Sequence, residues 1–185
     1  MVKKIEKSFS ELHNLAVDVA KNIHKSNIEH GISIDKYGDI RKFVGDAFGV
    51  GISIVTNTRI TVHNHPSEYK VSNSFSDLDI YNFLVTEQLC EIIMCSYGYL
   101  YFLRRGSYKI TSEATMPTRI SKKAKEIYHS VREKVEKEYP KYPENAEKTL
   151  KRATKEMEEL LWSEYHKELK EYLTSKGLSY GRVKI

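Results

Sequence analysis

Apolar positions recur at helical spacing in four stretches of the chain, and shorter alternating runs lie between them. The sequence therefore predicts helices interleaved with strands. Leu12, Leu15, Ala16, Val19 and Ile23 mark a first helix over Ser8–Lys25, which Ser8 or Ser10 can cap. Glu29–Asp35 alternates as a strand and closes in the turn Asp35–Asp39. The glycine-punctuated piece Ile40–Gly51 has no clear period. Ile52–Val55 and Arg59–His63 read as two paired strands, or as one strand with a loop at 56–58. Pro66–Phe75 reads as a polar loop, and Asp77–Glu91 as a helix with Ile80, Phe83, Leu84 and Leu89 on one face. Ile92–Leu103 reads as a strand broken by a turn at Tyr97-Gly98, and Lys109–Thr111 as a short edge strand.

After Pro117 the composition shifts to helix formers. Ala124, Ile127, Tyr128, Val131 and Val135 give one face to a helix over Ser121–Tyr139, which Pro140–Pro143 breaks. A longer helix over Asn145–Ser175 carries Ala146, Leu150, Ala153, Met157, Leu161, Tyr165, Leu169 and Leu173, and Gly177 ends it. The expected architecture is an α/β (α+β) domain over 1–116, followed by a charged helical hairpin over 117–185. The hairpin's apolar stripe must cover its own domain, a second subunit or a larger partner.

Composition narrows the function classes. The chain has 185 residues, 40% of them hydrophobic, and lacks an apolar run long enough to span a membrane. Residues 1–7 are basic but lead into an amphipathic helix, not an apolar signal core. Two cysteines, Cys90 and Cys95, exclude a disulfide scaffold and an all-cysteine zinc site, and they fit a reducing cytoplasm. The net charge of +5 is concentrated after residue 120, where acids and bases interleave as on a solvated helix face. Nucleic-acid binding is permitted by this balance but not indicated by it.

The chemistry concentrates in Arg59–Ser67 and Ser74–Ile80. On a strand, Ile60 and Val62 share one face, while Thr61, His63 and His65 share the other, so two imidazoles can converge on one cation. Pro66 ends the strand just beyond them. Asp79 lies fourteen positions past His65, in the first turn of the next helix. Two imidazole nitrogens and a carboxylate suit Zn²⁺ with a fourth position left for water. Ser76-Asp-Leu-Asp79 is at the same time a capping signature, and the cap and the metal site are compatible readings.

This wording, His63-Asn-His65-Pro66 followed by a spacer and Ser76-x-x-Asp79, resembles the JAMM (JAB/MPN) metalloproteases. It is closest to the RadC-type branch and to JAB-like domains of phage head-associated proteins. The resemblance covers roughly Ser8–Leu103. It implies that His63, His65 and Asp79 bind zinc. It further implies that Glu29, at the start of the strand after the first helix, is the general base, and that Ser76 helps to stabilise the oxyanion. A carboxylate in reach of the attacking water moves its proton to the leaving amine, and a hydroxyl donor lowers the barrier at the tetrahedral oxygen. The bland reading of Glu29 is a surface carboxylate at a strand start; Glu68, Glu87 and Glu91 are weaker candidates for the base. The spacer runs a few residues longer than the family's, within Glu68–Asn73.

The expected function is thus a zinc-dependent peptidase or isopeptidase acting on a protein or peptide substrate. The alternatives are a catalytically silent MPN-like interaction module, phage- or mobile-element-associated, that docks through its C-terminal helices, and a RadC-like protein acting around DNA. Elsewhere, Cys90 and Cys95 read as packing residues, Tyr97, Tyr99, Tyr101 and Phe102 as sheet residues, and Arg104-Arg105 as isolated. Trp162, Tyr165 and Tyr172 read as hairpin packing, and His129 and His166 as solvent-facing.

Overall fold

A computed structural model describes residues 4–46, 50–66, 74–96, 98–108, 115–138 and 147–185. Ser8 caps α1 (Phe9–Ile23): its hydroxyl accepts from the Glu11 N–H, and the Glu11 carboxylate returns to the Ser8 N–H. Strands β1 (His30–Asp35), β2 (Ile40–Val44) and β3 (Thr58–Asn64) follow. Next come α2 (Asp77–Val85), β4 (Glu91–Ser96) and β5 (Tyr99–Arg104). The chain ends with α3 (Met116–Glu138), α4 (Glu147–Ser175) and β6 (Ser179–Lys184).

The six strands form one mixed sheet in the order β2-β1-β3-β4-β5-β6, in which only β3 and β4 run parallel. The fold is thus α+β. Helix α2 is the crossover between the parallel pair, which places its N-terminus at the carboxyl end of β3. Alternation divides the core by face. Ile32, Ile34, Ile60, Val62, Ile93, Cys95 and Leu100 pack against Leu12, Ala16 and Ala20 of α1. Ile92, Met94, Tyr101, Leu103 and Tyr180 pack on the other face with the buried stripes of α2, α3 and α4. No helix among the described residues is long and apolar enough to cross a membrane.

Four expectations change. Ile40–Val44 forms the edge strand β2, and Ile52–Val55 forms no strand. The helix over 77–91 stops at Val85 because Thr86 leaves helical geometry (φ −98°, ψ 89°) and the Arg105 guanidinium takes the carbonyls of Phe83, Thr86 and Leu89. Glu91 consequently opens a strand. Arg105 is therefore a helix-end residue, not an isolated cation. The stretch after Gly177 adds β6 to the sheet, an element the short polar run Ser179–Lys184 does not announce. Its entry depends on Gly106 (φ +55°) and Gly177 (φ +77°): a side chain on Gly106 would meet the Gly177 carbonyl at 2.6 Å. The stripes of α3 and α4 thus cover the chain's own sheet, and the segment after 117 shares its core with β4 and β5. The expected edge strand 109–111, the residue Tyr97 and the break at 140–143 lie outside the described residues, as does most of the loop 66–75 with Glu68.

Candidate metal centre

The site forms where β3 ends and α2 begins. β-Alternation turns Thr61 and His63 toward the α2 face, and the ladder continues one residue further because the His65 N–H donates to the Cys95 carbonyl at 3.0 Å. His63 Nε2 and His65 Nε2 lie 3.2 Å apart, and Asp79 Oδ1 lies 3.5 Å from His63 Nε2. Asp79 Oδ2 is 3.9 Å from His65 Nε2. Among the described residues, these three form the one group of His, Cys, Asp or Glu side chains close enough together to hold a metal ion. Ligand atoms on a tetrahedral ion with bonds of about 2.0–2.2 Å sit about 3.3 Å apart; the His63–His65 and His63–Asp79 separations are near that spacing, and the His65–Asp79 separation is wider.

Asp79 is fixed by the cap expected from the sequence. Its Oδ2 accepts from the Ser76 N–H and the Ser76 hydroxyl, both at 2.8 Å, and its own N–H donates to Ser76 Oγ at 3.1 Å. Cap and candidate metal centre therefore share one carboxylate, with Oδ2 on the cap and Oδ1 toward His63. The Ser76 hydroxyl is given to Asp79 in this arrangement. Burial works against the Asp79 charge, but the imidazoles of His63 and His65 and the Ser76 hydroxyl outweigh it and hold the carboxyl far below its ordinary range. For His63, burial disfavours the cation, and the facing Asp79 carboxylate, with Glu29 behind it, more than compensates and raises the pKa.

Glu29 stands beside this group, half-buried, and feels the charges of both His63 and Asp79. Burial pushes its carboxyl above the ordinary value and the Asp79 charge adds to this, against the pull of His63 and of a hydrogen bond from the Val50 N–H. Its backbone is pinned as well: its N–H donates to the Asp46 carbonyl at 2.8 Å, and its carbonyl accepts from Gly45 at 2.9 Å.

Asn64, between the two histidines, is a residue that sequence reasoning passed over. The same alternation that joins the imidazoles sends Asn64 through to the opposite face. There its Oδ1 accepts from the His30 N–H at 2.7 Å, and its Nδ2 donates to the carbonyls of Ser26 and Ile28 at 3.4 and 3.1 Å. One buried amide thereby ties the segment carrying Glu29 to the strand carrying the histidines. Phe75, 6.4 Å from His63 between ring centroids, was also not singled out.

The other candidates lie elsewhere. Glu87 is exposed beyond the far end of α2. Glu91 is fully buried, paired with Arg104 and His13 against α1. Cys95 is buried with its thiol pushed up to about 12, as a packing residue would be. His129 is exposed, but His166 is buried, stacked on Tyr101 at 5.0 Å with Nδ1 on the Tyr180 hydroxyl; β6, unseen in the sequence, covers it. Comparison with known protein families, curated proteins and solved structures finds no match for the chain.

Proposed function

We propose that this chain is a zinc-dependent amide hydrolase of the JAMM (JAB/MPN) kind, a peptidase or isopeptidase acting on a protein or peptide. The observation that carries this reading is the convergence of His63, His65 and the Asp79 carboxylate, whose ligand atoms all lie within 4.8 Å of one another, with the Glu29 carboxyl close by. Zinc held there supplies a bound water that ionises near neutral pH and a Lewis acid for the scissile carbonyl.

The chain's own groups do the rest. Asp79 holds its charge through the facing imidazoles of His63 and His65 and through the cap, so one anionic ligand is fixed before any metal arrives. Asn64 holds the Glu29 segment against β3, the Val50 N–H holds the Glu29 carboxyl, and Glu29 takes up a proton and returns it to the leaving nitrogen. The raised pKa of Glu29 suits a group that must both accept and donate.

Metal analysis of the purified protein tests the reading. About one zinc per chain is expected, lost in the His63→Ala, His65→Ala double variant. Glu29→Gln should retain the metal and slow peptide hydrolysis by about 10²–10⁴-fold. Protein that takes up no zinc would leave a silent interaction module, and iron in its place would point to oxygen chemistry at a two-histidine, one-carboxylate centre.

A further inference from the structure

A buried polar cluster forms at Ser74, two residues before the cap of the metal-site helix, and the hydrolase reading leaves it unused. Ser74, 1% exposed, has its hydroxyl 3.2 Å from the Tyr180 hydroxyl of β6 and hydrogen-bonds the Tyr165 hydroxyl of α4 as well. The Tyr180 hydroxyl in turn meets His166 Nδ1. Burial raises both phenols well above their ordinary pKa, so they stay protonated and remain available as donors. Phe75, the next residue, is held edge-on by the Tyr180 ring at 6.3 Å and lies 6.4 Å from the His63 ring. Ser76 and Asp79 follow directly as the cap.

The spatial order is therefore β6, Tyr180, Ser74-Phe75, then His63 on one side and the Asp79 cap on the other. A loop that enters a helix needs a fixed end if the first turn is to hold a ligand within a few tenths of an ångström, and hydrogen-bonded groups behind the ligands commonly supply it. Here the far end of the sequence supplies that point.

We infer that Tyr180 is a positioning residue for the metal centre: it anchors Ser74 and Phe75 so that the Asp79 carboxylate is set opposite His63 and His65. The C-terminal strand and helix thus complete a site whose ligands all lie before residue 80. This rests on the reading of His63, His65 and Asp79 as a metal centre, while the anchoring itself is a property of the metal-free chain.

Two measurements on the full chain test it. Tyr180→Phe removes one hydroxyl and keeps the ring on Phe75; Ser74→Ala removes the same bond from the other side. In the metal-free protein, amide exchange over residues 76–80 should quicken about tenfold in either variant, while β3 amides over 60–63 keep wild-type rates. Zinc affinity should fall about tenfold in each, and the loss in the double variant should be smaller than the two single losses combined, because the Ser74–Tyr180 bond is lost in both. Unchanged exchange over 76–80, or faster exchange everywhere alike, overturns the inference, as does zinc affinity within about twofold of wild type. If the wild-type chain takes up no zinc, the metal reading falls, and the exchange rates still decide whether Tyr180 anchors the helix start.

Discussion

Gly31 lies directly across the β1–β3 ladder from His63, and Ile52 occupies the space that a side chain there would take. A Cβ on Gly31 would come within 2.5 Å of Ile52 Cγ1 and 3.0 Å of Val50 Cγ2. The missing side chain lets the 50–52 segment lie close to the sheet, where the Val50 N–H reaches the Glu29 carboxylate. Gly31→Ala should cost about 1–3 kcal/mol in urea unfolding, as overpacking typically does. It should slow hydrolysis more than it weakens zinc binding, because the displaced segment holds Glu29 and not the ligands. Combining it with Ile52→Ala should recover part of the stability; no recovery would mean that the clash lies elsewhere.

Asp79→Asn separates the cap from the charge. The amide can still accept from the Ser76 N–H, so α2 should start where it does now, but zinc affinity should fall by at least about tenfold. The pH dependence of the metal-free protein gives the sign. His63 is raised above its ordinary 6.5, so its stabilising share is complete below that value and fades as pH rises through the higher folded value. Asp79 is lowered from 3.8, so its share is present above 3.8 and fades as pH falls toward the lower folded value. The wild type should therefore exceed Asp79→Asn in thermal stability most between pH 3.8 and 6.5, with the gap narrowing on both sides. Any zinc bound at His63 would have to displace its proton, so zinc affinity should begin to fall on acidification at a pH above 6.5. A melting-temperature gap that is flat with pH would contradict the pairing.

Much of this site was legible because it is local. His63 and His65 share a face through the two-residue period of a strand, and Ser76 and Asp79 meet through the three-residue reach of a cap; both rules act over a few residues. α1, α3 and α4 were legible for the same reason, their buried stripes repeating at helical spacing. What depended on distant chain was not. β2 is short, charged and edge-lying, with nothing periodic to mark it. α2 ends early because Arg105, twenty residues beyond Val85, supplies the partners of its last carbonyls. His166 reads as polar among charges until β6 comes to lie over it. Glu29 was reachable only through the resemblance, since nothing in its own neighbours says that Asn64 will draw it to the histidines.

Arg105 gives a third prediction. Its Nε donates to Leu89 at 2.7 Å, and one terminal nitrogen donates to Phe83 and Thr86, each at 2.6 Å, while the guanidinium lies 4.7 Å from the Phe83 ring centre. A lysine gathers its three donors on one nitrogen and cannot span these carbonyls from two separate nitrogens as the planar fork does. Arg105→Lys should cost about 2 kcal/mol in urea unfolding and loosen residues 83–89 first, visible as faster amide exchange there than in β4. A stability change below about 0.5 kcal/mol would show that water satisfies those carbonyls equally well.

Glu91 supplies a control for the site, because it sits in the same sheet and faces away from the metal centre. It is fully buried, with Arg104 Nε at 2.6 Å and His13 Nδ1 at 2.9 Å, and it joins α1 to the start of β4 and the end of β5. Removing one partner of a buried pair leaves the other uncompensated, at about 3–5 kcal/mol. Arg104 and His13 keep about a third and a quarter of their side-chain surface exposed, so water can reach both and the lower end applies. Glu91→Ala should thus cost about 3 kcal/mol, and Glu91→Gln less, since the amide still accepts from Arg104. Both should bind zinc as the wild type does at temperatures where they remain folded. If zinc affinity falls in step with stability, the metal centre senses the α1 face through the sheet, and the two faces are not the independent halves that their separate cores imply.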